Sequence, residues 1–138
     1  TVFFDQDGKE TVRVHRGDGL AISHFKQKGF HQLILSTESN TVVSQRAKKL
    51  DIPVIQGVTN KKEALTDYCK KHNIHLSKVC YVGNDLNDLE VINYLPQTFC
   101  PEDANKKILD SSATILNKKG GKGVIMALYE HFLENFLG

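Results

Sequence analysis

The chain has 138 residues, 40% of them hydrophobic, with three cysteines and a formal net charge of +2. That length supports one globular domain with a real core; no apolar run approaches the roughly 20 residues that cross a bilayer, and the charge is too small and dispersed for a nucleic-acid footprint. Cys69, Cys80 and Cys100 show no C-x-x-C spacing, which argues against a disulfide framework or a zinc site, and with no signal peptide in view the expected location is the cytoplasm.

Thr1-Val2-Phe3-Phe4 has strand composition, and Glu10-Thr11-Val12-Arg13-Val14-His15 alternates with period two. Asp5-Gln6-Asp7-Gly8-Lys9 between them has turn chemistry, so residues 1–15 are predicted to form a β-hairpin flap. A helix capped near Asp18 follows, with Leu20, Ile22 and Phe25 as its apolar positions and Gly29 closing it. The run Gln32-Leu33-Ile34-Leu35 predicts a buried strand ending at Ser36-Thr37-Glu38; a helix over 41–50 and a strand at Pro53-Val54-Ile55 come next. Gly57-Val58-Thr59-Asn60 then turns into a helix carrying Ala64, Leu65, Tyr68 and Cys69.

Residues 79–82 form the next apolar run, stopped by Gly83 and followed by Asn84, Asp85 and a helical pattern at Leu86, Leu89, Val91 and Ile92. A strand at 96–100, a short helix at 103–109 and a strand at 113–116 lead to Gly120-Gly121-Lys122-Gly123. That segment opens an amphipathic helix with Ile125, Leu128, Phe132, Leu133 and Phe136 on one side. Alternating strands and helices imply an α/β fold, a Rossmann-like parallel sheet flanked by helices, as one domain over 1–138 with the α/β core at 16–138.

Ligands bind at the carboxyl ends of strands in an open parallel sheet. Three such ends carry polar groups: Ser36-Thr37-Glu38, Asn60-Lys61 and Asn84-Asp85. Asp88 follows Asp85 by one helical turn, so both carboxylates can face the same small volume. Oxygen donors gathered this way suit Mg²⁺ better than zinc, although Asn84 or Asp85 taken alone also suits a helix cap. A hydroxyl, an ammonium and metal-binding oxygens are the parts that phosphoryl chemistry needs, because positioning and charge neutralisation supply most of the catalysis.

Ser36 after an apolar strand, Lys61 after a turn, and the G-N-D-x-x-D run from Gly83 to Asp88 resemble the second, third and fourth motifs of the haloacid dehalogenase superfamily. The hairpin, His15-Arg16-Gly17-Asp18-Gly19-Leu20, Gly57-x-x-Asn60-Lys61, Tyr81-Val82-Gly83 and Gly120-Gly121-x-Gly123 resemble its sugar-acid phosphatases, which have no large cap domain. These act on 3-deoxy-D-manno-octulosonate 8-phosphate or nonulosonate 9-phosphates, and a similar module ends some CMP-sialic acid synthetases.

The resemblance implies that Ser36 and Lys61 bind the transferring phosphoryl group, with Lys62 the alternative to Lys61 if the register slips by one. It implies that Asn84 and Asp85 hold Mg²⁺ and that Asp88 orients the site behind them. Many relatives carry aspartate at the position of Asn84, so metal binding here is expected to be weaker. Substrate contacts are implied for Thr37, Glu38, Arg46, Lys49 and Lys122; Glu38 in particular points toward a nonulosonate. Arg46 and Lys49 also suit a solvent-facing helix surface, and the segment around Lys122 a loose turn. The implied assembly is a homotetramer without nucleic-acid or membrane partners.

Enzymes of this kind attack phosphorus with the first aspartate of D-x-D-G, at the end of the first strand, and protonate the leaving oxygen with the second. Asp5-Gln6-Asp7-Gly8 imitates that motif. The alternation after Gly8 and the short distance to Asp18-Gly19 favour the hairpin tip, however. On that reading the nucleophile strand precedes Thr1 and the chain as given is inactive. The competing function is a non-catalytic assembly module of, or beside, a CMP-acylneuraminate cytidylyltransferase.

Overall fold

The computed structural model describes residues 2–4, 16–118 and 123–137, with side chains described over 19–118 and 123–135. Six strands, β1 (Val2–Phe4), β2 (Gln32–Leu35), β3 (Val54–Ile55), β4 (Cys80–Val82), β5 (Gln97–Pro101) and β6 (Thr114–Leu116), form one sheet in the order β3-β2-β1-β4-β5-β6. Every pairing in it is parallel. The helices are α1 (Arg16–Gln27), α2 (Thr41–Leu50), α3 (Lys61–Lys71), α4 (Leu89–Tyr94), α5 (Lys106–Leu109) and α6 (Val124–Phe132), the last continuing as a π turn over Leu133–Leu137.

Parallel strands covered on both faces need apolar residues at successive positions, and β2 and β4 are buried throughout. Alternate residues serve alternate faces. Ile34, Cys80, Val82 and Phe99 pack with Ile22 and Phe25 of α1, Val43 and Ala47 of α2, and Ile125, Leu128 and Phe132 of α6. Leu33, Leu35, Tyr81 and Cys100 pack on the other face with Leu65 and Cys69 of α3, Val91 and Ile92 of α4, and Ile108 of α5. Edge-to-face contacts of Phe25 with Phe30, Tyr129 and Phe132 tie α1 to α6. All three cysteines are buried free thiols.

The amino-terminal prediction needs correction. Val2–Phe4 is not a hairpin arm but the central strand, paired on one edge with β2 and on the other with β4, with Phe4 in register with both Ile34 and Val82. With both edges occupied, no ladder positions remain for an antiparallel return, and the place reserved for a strand upstream of Thr1 is filled. The expected return strand, residues 10–15, lies outside the described residues, as does the glycine-rich segment at 119–122. Helix α1 starts at Arg16, two residues before the expected cap, and its Leu20 is exposed. Among the described residues no helix is long and apolar enough to cross a membrane.

Candidate active site

The carboxyl ends of β2 and β4 flank the end of β1. Ser36 and Asn84 each lie two residues past the partner of Phe4, so they face one another across a single intervening strand. Two strand spacings amount to roughly 9–10 Å, room for a phosphoryl group and its counter-ion. Ser36 is fully buried. Its Oγ accepts from Glu38 N at 3.1 Å, which engages a lone pair and leaves the O–H to donate elsewhere.

Lys61 arrives from α3. Asn60 caps that helix by accepting from Glu63 N at 2.9 Å, which makes Lys61 its first residue. A cation at a helix amino terminus opposes the macrodipole, so something other than helix stability must hold it there. The holder is Asp88: Lys61 Nζ donates to Asp88 Oδ1 at 3.0 Å and to Asn87 Oδ1 at 3.1 Å, with both charged side chains buried. Burial lowers the Lys61 pKa from the usual lysine value, and the charges of Asp88 and Asp85 offset part of that effect. The alternative lysine, Lys62, instead lies over the Tyr94 ring, 4.3 Å from its centroid.

Asp88 is the hub of the site. Its Oδ1 accepts from Lys61 and from the buried Tyr81 hydroxyl, and its Oδ2 from the backbone amides of Asn84 (2.9 Å) and Asp85 (3.1 Å). Gly83 is required by this closeness: a Cβ there would stand 2.6 Å from Asp88 Cβ and 2.7 Å from its Cγ. Asp85 does cap the following turn, accepting from Leu86 N at 2.8 Å through Oδ1. Asn84 does not cap. Its Oδ1 is buried without a hydrogen-bond partner, while its backbone carbonyl is fixed by Asn105 N at 2.9 Å. An orphaned amide oxygen beside a carboxylate is a hard-donor arrangement that fits a divalent cation such as Mg²⁺. Among the described residues no group of three His, Cys, Asp or Glu side chains gathers for a metal.

Thr37 and Glu38 are half-buried in the loop directly after Ser36. Arg46 and Lys49 lie farther along α2: Arg46 has a buried Nε without a hydrogen-bond partner and Lys49 is exposed. Among the described residues no hydrogen bond or ion pair joins either to Ser36, Lys61 or Asn84. Lys122 lies outside the described residues. Sequence reasoning missed Tyr81 and Asn87. Tyr81 carried a signal in principle, since it is the one polar-tipped side chain in an otherwise apolar strand and its hydroxyl needs a partner when buried.

A family model for haloacid dehalogenase-like hydrolases matches residues 18–128. The chain belongs to that family. Among curated relatives, it is 25% identical to the 3-deoxy-D-manno-octulosonate 8-phosphate phosphatase of Salmonella typhi, over 90% of this chain and 66% of that protein. It is 20% identical to N-acylneuraminate cytidylyltransferase A of Danio rerio, over 96% of this chain but 31% of that protein. Among solved structures, the 3-deoxy-D-manno-octulosonate 8-phosphate phosphatase of Moraxella catarrhalis, determined with magnesium, phosphate and the sugar acid, superposes with a TM-score of 0.88. The match has 30% identity and covers 96% of this chain and 84% of that one. The chain thus spans just under two thirds of the curated phosphatase and about a third of the cytidylyltransferase.

Proposed function

We propose that this family member is a Mg²⁺-dependent phosphomonoesterase acting on a sugar-acid phosphate, with Glu38 favouring a nonulosonate 9-phosphate over 3-deoxy-D-manno-octulosonate 8-phosphate. The observation that carries the proposal is the edge of the sheet itself. Ser36 and the orphaned oxygen of Asn84 flank the end of the central strand, and the buried Lys61–Asp88 pair closes the same corner.

The residue that follows Phe4 is Asp5, the first aspartate of Asp5-Gln6-Asp7-Gly8. The central place of β1 supports the catalytic reading of that motif, and Asp5 is proposed as the nucleophile and Asp7 as the general acid. The Asp5 carboxylate attacks phosphorus as the P–O bond to the sugar breaks, and Asp7 protonates the departing oxygen. Water then cleaves the aspartyl phosphate to release inorganic phosphate and regenerate Asp5. Ser36 donates its O–H to a phosphoryl oxygen and Lys61 balances the charge, both held in advance of reaction. Asn84 and Asp85 would hold the cation, which supplies further charge neutralisation when bound.

Full-length protein incubated with each sugar-acid phosphate and Mg²⁺ is expected to release inorganic phosphate, with release abolished by EDTA or by Asp5→Asn. No release from either substrate would sink the proposal. The match to the Danio rerio cytidylyltransferase over nearly the whole chain supports a second reading, a non-catalytic assembly module. On that reading, phosphate release is absent while light scattering still shows the homotetramer.

A further inference from the structure

We propose that Gln56 is a positioning residue for the part of the site that grips the substrate beyond its phosphoryl group. The proposal rests on the phosphatase reading above. Gln56, half-buried just after β3, donates through Nε2 to Asn40 O at 2.8 Å and to Glu38 O at 3.2 Å. The next two backbone amides extend the same seam: Gly57 N donates to Glu38 O at 3.0 Å and Val58 N to Ser36 O at 3.1 Å. The seam is tight. Gly57 has φ +64°, in the left-handed region, and a Cβ there would stand 3.1 Å from Ser39 Oγ.

These bonds divide the loop into two halves. Ser36 is anchored by backbone on both sides, its N–H donating to Ile55 O at 3.0 Å and its carbonyl accepting from Val58, so its place does not depend on Gln56. The stretch 38–40, which carries the Glu38 carboxylate and leads into α2, has Gln56 as the side chain that bridges it to the β3 end. Lys61 is set independently, by Asp88 and Asn87. Losing Gln56 therefore removes two of the bonds that tie 38–40 to the β3 end and leaves Glu38 O to the Gly57 amide, while the groups that hold the phosphoryl keep their own anchors.

The test compares the full-length protein with Gln56→Met, which keeps the length and loses the donor, and Gln56→Glu, which sets an anionic oxygen against two carbonyls. The substrates are a nonulosonate 9-phosphate, 3-deoxy-D-manno-octulosonate 8-phosphate and p-nitrophenyl phosphate, the last lacking any sugar acid for Glu38 to meet. With one or two neutral hydrogen bonds lost, KM for the preferred sugar-acid phosphate is expected to rise about three- to tenfold. Turnover of p-nitrophenyl phosphate should stay within about twofold, and Gln56→Glu should exceed Gln56→Met. Equal losses on all substrates, or no change on any, would overturn the assignment.

Amide hydrogen exchange reads the same seam without turnover. In Gln56→Met the Gly57 amide, bonded to Glu38 O, should exchange about three- to tenfold faster while those of Ser36 and Val58 keep their protection. Unchanged Gly57 protection refutes the proposal even in a preparation that hydrolyses nothing. Wild-type protein inactive on all three phosphates defeats the phosphatase reading instead.

Discussion

Replacing Asp88 by asparagine tests the centre of the site through stability as well as activity. The carboxylate is fully buried and takes four donors, two on each oxygen. Asparagine keeps the shape but removes the negative charge that faces the buried Lys61 ammonium, and it presents an N–H₂ group to two donors that previously had an acceptor. Breaking one side of a buried ion pair costs about 3–5 kcal/mol. With 138 residues at about 2.1 cal/mol/K each, the unfolding entropy is roughly 0.29 kcal/mol/K. The midpoint should therefore fall by about 10–17 °C. Calorimetry in EDTA removes any contribution from a bound cation. The double variant with Lys61→Met should cost about 1–3 kcal/mol less than the sum of the single variants. A shift under about 3 °C, or strict additivity, would show that Lys61 and Asp88 do not form the buried pair that anchors this corner.

Gly83→Ala should lower stability by about 1–3 kcal/mol through overpacking against Asp88, together with a loss of phosphatase activity; urea denaturation and turnover check both. Ser36→Ala should reduce kcat by about 10²–10³ while lowering the melting temperature by only a few degrees, because the main loss outside catalysis is one hydrogen bond from Glu38 N. Asn84→Asp returns a negative charge to the orphaned oxygen position, so the Mg²⁺ concentration for half-maximal activity should fall; an unchanged or higher value would remove Asn84 from the cation site. Burial raises the Cys80 thiol pKa well above the usual thiol range. Folded protein therefore keeps that proton where unfolded chain loses it, and stability falls as pH rises past 9. Burial raises the Cys69 and Cys100 thiols too, so in urea melts between pH 8 and 10 Cys80→Ala should lose less stability than wild type, by up to about 1.4 kcal/mol per pH unit above 9.

Most of the helices and strands were legible because the core demands them locally. The run Leu33-Ile34-Leu35 is apolar because both faces of β2 are covered, and Val91-Ile92 falls on the buried side of a short helix. Asn60 announces the start of α3 through its capping chemistry, which also fixes Lys61 rather than Lys62 as the inward lysine. The N-terminal strand was misread for a corresponding reason. Three apolar residues before a polar turn suit a hairpin arm and a central parallel strand equally well, and local chemistry does not choose between them.

Chain chemistry alone determined that a hydroxyl and an amide–carboxylate pair stand at the ends of buried strands, and a lysine at the start of a helix, in an α/β domain. The partners of each strand were decided only in three dimensions, because ladder bonds join residues distant in the chain. Val2–Phe4 became the central strand when β2 and β4 closed on its two edges, and Asp5 is the residue that follows it in the sequence. Folding likewise settled which polar atoms share one dry corner. Burial left Asn84 Oδ1 without a donor and gathered Lys61, Tyr81 and two backbone amides on Asp88, whose charge could not stay buried without them.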